Sequence, residues 1–421
     1  MSRSRRWPAP DLPGLGDARS TLFIGTLIDT VSVEDQEESL ADSIDITGFR
    51  DAASFSWMDT QTPTISVPGS PPEWTGHELP FQTFKDGHSR LPVYPEKNVT
   101  CNAYGPLCAA LLATGRAKSI EEADIIIDRF DLVQLLDWSK NNKEAMQPCR
   151  IDIQVLPNNT LVFLRWEPNR LSNAKAYRKD FLRRTTRMVG NHPREGYFHA
   201  VSYVSTATLH SFFNLQLIVL SDKNIGGISL LVQFQVYAHQ STRRSSAGED
   251  VSPLEPSTMP SPSVNDSTEI RVITSTNGPV GHSSLVEIIT AKEGAGGNRA
   301  LSTRFSEYFL AGGHNIIIAR HLGGKFRSLQ KLSTDDEEDV NMRQQRQKQQ
   351  PVFRRLVSLI HRIRELVLAT VGPDVQDNHQ RMFSLIREDG IFKLYERTGG
   401  LQVHPTLCRA IAETNQDPIN H

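Results

Sequence analysis

The chain has no excess of either charge. Its 46 Lys and Arg stand against 48 Asp and Glu, a formal net charge of -2 over 421 residues. The overall balance therefore implies neither a nucleic-acid coat nor a repellent acidic surface, and any charge signal has to be local. Cysteine is scarce as well. Cys101, Cys108, Cys149 and Cys408 are too few and too scattered for a disulfide framework, and none forms a C-x-x-C pair. That usage fits a reduced compartment, cytoplasmic or nuclear. Long apolar runs are missing, and the stretch Thr21 to Ile28 is too short and glycine-interrupted for a membrane span or a signal core. Asp11 and Asp17 follow Arg3, Arg5 and Arg6 closely, which argues against a mitochondrial leader. There is no G-x-x-x-x-G-K-[ST], no G-x-S-x-G and no H-E-x-x-H, so phosphate-loop NTPases, elbow-type serine hydrolases and zincins lack sequence support.

What is present is enough for one sizeable domain. A 38% hydrophobic content supports a buried core. Residues 1 to 50, including the acidic run VEDQEESLADSID, read as a disordered arm. Residues 51 to 420 read as a single α+β domain with insertions at about 204–225, 241–277 and 333–350. In it, Ser119 and Glu122 form a capping-box start, followed by a helical apolar stripe from Ile125 to Trp138. Asp128 and Arg129 on that stripe read as an exposed ion pair. Ile151 to Leu156 and Thr160 to Trp166 alternate around Pro157-Asn158-Asn159 as a hairpin ending at Glu167. Asn173 to Val189 reads as a basic amphipathic helix, with Lys175, Lys179, Arg183 and Arg187 in one i, i+4 stripe and Tyr177 and Phe181 opposite. Nine Lys or Arg and two acids lie between Arg165 and Arg194, which suggests a phosphate-rich partner. Val352 to Val371 forms a long amphipathic helix stopped by Gly372-Pro373.

Two strand-like runs carry the chemistry. In GHSSLVEIIT, residues 281 to 290, Glu287 and Ile289 share a face because strand side chains two apart point the same way. In GGISLLVQFQVYA, residues 226 to 238, Leu230, Val232, Phe234 and Val236 face inward and leave Gln235 and Tyr237 on the other side.

The stretch SWMDTQTPTISVPGSPPEW resembles the opening signature of a family of fungal proteins commonly labelled geranylgeranyl pyrophosphate synthetase, and the resemblance continues through ADIIIDRFDLVQLLDW, HAVSY and the strand at 226 to 238. About twenty residues between HAVSY and that strand, 204 to 225, have no counterpart in the family and read as an insertion or a retained intron. The family in turn resembles decapping-type and PD-(D/E)XK nucleases. That resemblance implies a central mixed β-sheet flanked by helices, with metal-binding acids at Glu167 and Glu287, the family's H-E-x-D-G acids replaced by Gln235 and Tyr237, and the lysine of its E-x-K strand replaced by Ile289. The residues that remain imply a catalytically inactive relative that binds RNA or another phosphate-bearing ligand, with no cofactor. A second reading is a phosphohydrolase that uses Glu167 and Glu287 with Mg or Mn. The third is the polyprenyl diphosphate synthase of the family label, for which Asp335, Asp336 and Asp339 spell D-D-x-x-D inside a charged low-complexity run.

Overall fold

A computed structural model describes residues 23–32, 44, 46–58, 64–86, 104–140, 149–165, 176–187, 217–225, 227–240, 270–275, 280–294, 305–306, 309–310, 315–333, 340–371, 382–400 and 403. Two mixed sheets dominate them, as the α+β expectation required. The larger has strands in the order β1 (Ile24–Val31), β18 (Ile391–Arg397), β17 (Met382–Glu388), β7 (Cys149–Val155), β8 (Leu161–Arg165), β6 (Ile125–Asp128), β11 (Ile228–Val236), β10 (Leu217–Ile225), β2 (Ile46–Trp57), β3 (Thr64–Val67) and β13 (Arg271–Thr274). The smaller runs β5 (Phe81–Gln82), β16 (Lys325–Ser333), β15 (Asn315–Leu322), β14 (Leu285–Lys292), β12 (Ala238–His239), β4 (Glu73–Trp74) and β9 (Thr186–Arg187). β11 belongs to the first sheet and β12 to the second, so the backbone at Tyr237 joins them.

Side-chain alternation sorts the core into three parts. Ile151, Ile153, Phe163, Leu230, Val232 and Phe234 on one face of the large sheet pack with Leu285, Ile289 and Ile316 of the small one. The same central cluster takes in α3 (Arg129–Ser139) and a 32-residue helix, here α5 (Val340–Val371). The opposite face of the large sheet is covered by α1 (Gly105–Ala113) through Leu107, Cys108 and Leu111. The outer face of the small sheet, with Val286, Ile288, Ile317 and Phe326, is covered by Phe181 of α4 (Arg178–Thr185) and by Phe81. No described helix is long and apolar enough to cross a membrane.

Several expectations need correction. Ser119 is no cap: it lies inside the single turn α2 (Lys118–Glu121), which begins after Ala117 with no side-chain cap. Ile125 to Asp128 is strand β6, because three consecutive β-branched residues suit a fully buried parallel strand paired on both sides. The helix starts at Arg129, capped by the Asp128 carboxylate, which accepts from the Phe130 N–H at 2.7 Å. Residues 24–31, expected in a disordered arm, pair with β18 as β1. Residues 217–225, expected in an insertion, form β10, which pairs along its length with β11 and also with β2. Such a strand is part of the sheet. Residues 340–350 were expected in an insertion before a helix starting at Val352, yet α5 runs through Pro351 without a break. Buried Met342 and Gln349 anchor that first half, and the Gln and Arg around them are good helix formers. The hairpin of β7 and β8, and the strands β11 and β14, lie where the strand patterns put them.

One buried polar cluster stands on the large sheet. Asp152 accepts from Arg150 Nε at 2.8 Å, from Arg397 at 2.8 Å and from the Ser384 hydroxyl at 2.7 Å. Both guanidinium side chains are fully buried. Burial lowers the pKa of Arg397, and the charge of Asp152 works against that shift. Removing the single carboxylate would leave two buried cations together, so Asp152→Ala is expected to lose about 3–5 kcal/mol in urea unfolding. A loss below about 1 kcal/mol would show that water or another group replaces the carboxylate.

Candidate functional site

Strand β14 presents Val286 and Ile288 to the outer cluster and Leu285, Glu287 and Ile289 to the space between the sheets. Glu287 is only 4% exposed, and its Oε1 accepts a charge-assisted hydrogen bond from the Arg129 guanidinium. Arg129 occupies the first position of α3, where the helix N-terminus attracts a carboxylate and repels a cation. The Glu287 carboxylate therefore meets a guanidinium carried at the start of a helix. The Arg129 Cζ also lies 5.7 Å from the centroid of the Phe234 ring on β11. The expected exposed ion pair between Asp128 and Arg129 is not formed in this way: Asp128 caps the helix, and Arg129 reaches 158 residues along the chain to Glu287.

Ile289, two residues on, is 2% exposed and packs into the central cluster. It places a methyl surface beside the carboxylate. β12 pairs with β14 through Ala238↔Val286 and His239↔Leu285, a register which, continued by one residue, sets Tyr237 across from Glu287. The Tyr237 ring carries the Arg178 guanidinium 4.1 Å from its centroid. The Nε of Arg178 is buried and has no hydrogen-bond partner among the described residues. The backbone of Gln235 lies on β11 opposite Ile218. Its side chain, and the whole of Glu167 and Lys175, lie outside the described residues.

The basic segment differs from the expected helix of residues 173 to 189. α4 spans Arg178–Thr185 and then turns into β9, which pairs with β4. Thr185 and Thr186 end it, each hydroxyl bonding back to the carbonyl four residues earlier, at 2.9 and 2.8 Å. Arg187 is thus on a strand, 2.5 Å from Glu73. Arg183 and Arg184 both meet Asp180, at 2.7 and 3.1 Å. Burial pushes the Asp180 carboxyl up, but the bonds from Arg183 and the Phe84 N–H, with both arginine charges, outweigh it and hold the carboxyl below its ordinary range. The Lys179 N–H donates to Asp86 at 2.9 Å, and burial lowers the pKa of its ammonium against the pull of Asp86. Phe181 is buried, as expected, and Tyr177 is half-buried. The four cations do not form one stripe on a helix, and those that are described are matched by acids of the fold itself.

The described residues do not fit a divalent metal. Among them no three His, Cys, Asp or Glu side chains come together. At the expected centre the one carboxylate is engaged by a guanidinium, beside an isoleucine and a phenol. Hard divalent cations take several oxygen ligands, for which this set is too small. Sequence reasoning left Arg129 in a surface ion pair and passed over Arg178. D-R-F-D does mark Asp128 as an N-cap acid, with a second acid, Asp131, in the first turn, but it does not name the partner of Arg129.

Residues 27–210 match the model of a domain of unknown function (DUF8563). No curated protein sequence matches the chain. Among solved structures, Rai1 of S. pombe in complex with 3'-FADP is similar at 13% identity and a TM-score of 0.53, covering 87% of this chain and 99% of that one. Rai1 of Scheffersomyces stipitis, in complex with (3'-NADP)+ and calcium ion, is similar at 11% identity and a TM-score of 0.56, covering 92% and 99%. Rai1 of Candida albicans, in complex with pU5-Mn2+, gives 11% identity, a TM-score of 0.54, and coverage of 91% and 99%. The chain has the fold of these decapping nucleases.

The pair at the centre makes a clear prediction. Glu287→Ala leaves the Arg129 guanidinium facing Phe234, and Arg129→Ala leaves a buried carboxylate. Each single substitution is expected to cost about 3 kcal/mol or more in urea unfolding, and the double variant less than the sum. Additive losses would mean the two groups do not interact in solution.

Proposed function

We propose that this chain is a non-hydrolytic protein on the decapping-nuclease fold, and that it binds RNA or another phosphate-bearing ligand without turning it over. The observation that carries the reading is the Arg129 guanidinium on Glu287, with Ile289 packed beside it. A metal-dependent phosphodiesterase needs carboxylates to hold the cation and a positive group to stabilise the charge that develops on the phosphoryl oxygen. Gln235 and Tyr237 stand where the resembled family carries acids, and Ile289 where it carries lysine. The Arg129 guanidinium is bonded to Glu287 and the Arg178 guanidinium lies over Tyr237, cations that favour an anionic ligand held directly by nitrogen donors. Rai1 of Candida albicans in complex with pU5-Mn2+ and the nucleotide complexes of the other Rai1 proteins support the choice of ligand class. The reading places the protein in the cytoplasm or nucleus, with its arm and loops attached to one domain.

The second reading, a phosphohydrolase that uses Glu167 and Glu287 with Mg or Mn, requires Glu287 to leave Arg129. The third has less support, because prenyl diphosphate synthases are all-helical and this fold is built on two sheets. Its D-D-x-x-D at residues 335 to 339 lies outside the described residues.

The test is an assay of the purified chain on capped, triphosphorylated and monophosphorylated RNA in magnesium and in manganese. Turnover by the unaltered chain is expected to match that of its Glu287→Ala variant at background. A triple variant, Gln235→Glu, Tyr237→Asp and Ile289→Lys, supplies the missing groups, and cleavage by it alone supports the reading. Cleavage by the unaltered chain that disappears in Glu287→Ala overturns it in favour of the phosphohydrolase.

A further inference from the structure

The first half of α5 carries a cationic surface unlike that of α4. From Val340 to Arg354 the helix contains Arg343, Arg346, Lys348 and Arg354 and no acid. Arg343, Arg346, Gln347, Gln350 and Arg354 are spaced by three, four, seven and eleven residues, which puts them on one helical face. With Pro351 they line a groove of about 450 Å³. No carboxylate is among the described residues that line it. The face is fixed to the fold from beneath. Gln349 accepts from the Ser306 hydroxyl at 3.0 Å, Gln350 exchanges two hydrogen bonds with the backbone of Ile44 at 2.7 and 3.2 Å, and Arg346 lies over the Phe309 ring at 5.3 Å.

The contrast with α4 is chemical. There Arg183 and Arg184 are both met by Asp180. Here guanidinium and carboxamide groups line the groove together. Guanidinium forks match phosphate oxygens two at a time, and the rise from Arg343 to Arg354 is about 16 Å, long enough for a short run of nucleotides. Pro351 has no N–H, so the Gln347 carbonyl lacks its usual helical donor four residues on. That carbonyl and the Gln347 amide offer both an acceptor and a donor to sugar hydroxyls and base edges. The spacing of the guanidinium groups along the helix suits the repeat of a phosphodiester backbone, and competition by polyglutamate separates it from an acidic peptide.

We propose that this groove on α5 binds the phosphodiester backbone of single-stranded RNA. The inference rests on the ligand-binding half of the proposed function and adds a second surface to it. The test measures fluorescence anisotropy of a short oligouridine on the full chain, acidic residues 335 to 339 included, over a salt series. It is repeated with Arg343→Ala/Arg354→Ala and, separately, with Arg178→Ala at the cleft. Arg346 is left in place because it packs on Phe309, and circular dichroism checks that the double variant folds. The double variant is expected to bind about tenfold or more weakly, and its salt slope to fall by about 1.4, at about 0.7 for each phosphate no longer neutralised. Unchanged affinity and slope in that variant overturn the groove, and if Arg178→Ala alone weakens binding, the cleft reading survives. Absence of RNA binding by the unaltered chain overturns both. Polyglutamate that competes as well as RNA at the same salt overturns the assignment in favour of an acidic protein partner.

Discussion

The ion pair between Arg129 and Glu287 links the two sheets. Arg129 begins the helix that leaves β6 of the large sheet, and Glu287 is in the middle of β14 of the small one. Beside it, the backbone passes from β11 to β12 through Tyr237 and joins the sheets covalently. A buried carboxylate is stable only if its charge is answered, and here the answer comes from a side chain on the other sheet. The position of α3 then bears on α5, whose Arg355 donates to the Ser139 carbonyl at 2.6 Å and whose Arg364 meets Asp124 at 2.8 Å. Contacts at both ends of α3 and β6 thus hold the long helix against the large sheet.

The same pair bears on the chemistry open to Glu287. A carboxylate engaged by a guanidinium is a poor first ligand for a hard cation, because binding the metal must break a charge-assisted hydrogen bond and leave a partly buried arginine next to a dication. Ile289 next to it adds apolar surface where a positive group would have stabilised a phosphoryl transition state. Arg178 over Tyr237 adds a second fixed cation. The chain has the fold of the Rai1 nucleases, and in it a guanidinium answers the charge of the Glu287 carboxylate.

Much of the fold was legible from side-chain alternation. In the β7–β8 hairpin two alternating runs flank the Pro157-Asn158-Asn159 turn, so period and punctuation agree. Boundaries were lost where two patterns competed. The Ile125 to Ile127 run satisfies a helical stripe and a buried strand equally, and only its two parallel neighbours settle the choice. The long helix was expected only from Val352, but α5 runs through Pro351 and carries it on an exposed side. β10 was missed because its partners, β11 and β2, lie on either side in space and not both in sequence. At the site, Glu287 and Ile289 could be read from their spacing. Their partner Arg129 could not, because ion pairs across 158 residues leave no local trace. The cations of the basic segment find acids of the fold: Asp180, the partner of Arg183 and Arg184, lies within α4, where its pairing was readable, and Glu73, the partner of Arg187 on β9, lies 114 residues away, where it was not.

The claim that an arginine and not a metal answers the charge of Glu287 is tested most directly by anomalous diffraction from crystals of the unaltered chain soaked in manganese. The expected map has no manganese peak at Glu287 and keeps the Arg129 guanidinium on its carboxylate. A manganese ion bonded to Glu287, with Arg129 displaced, would contradict the claim.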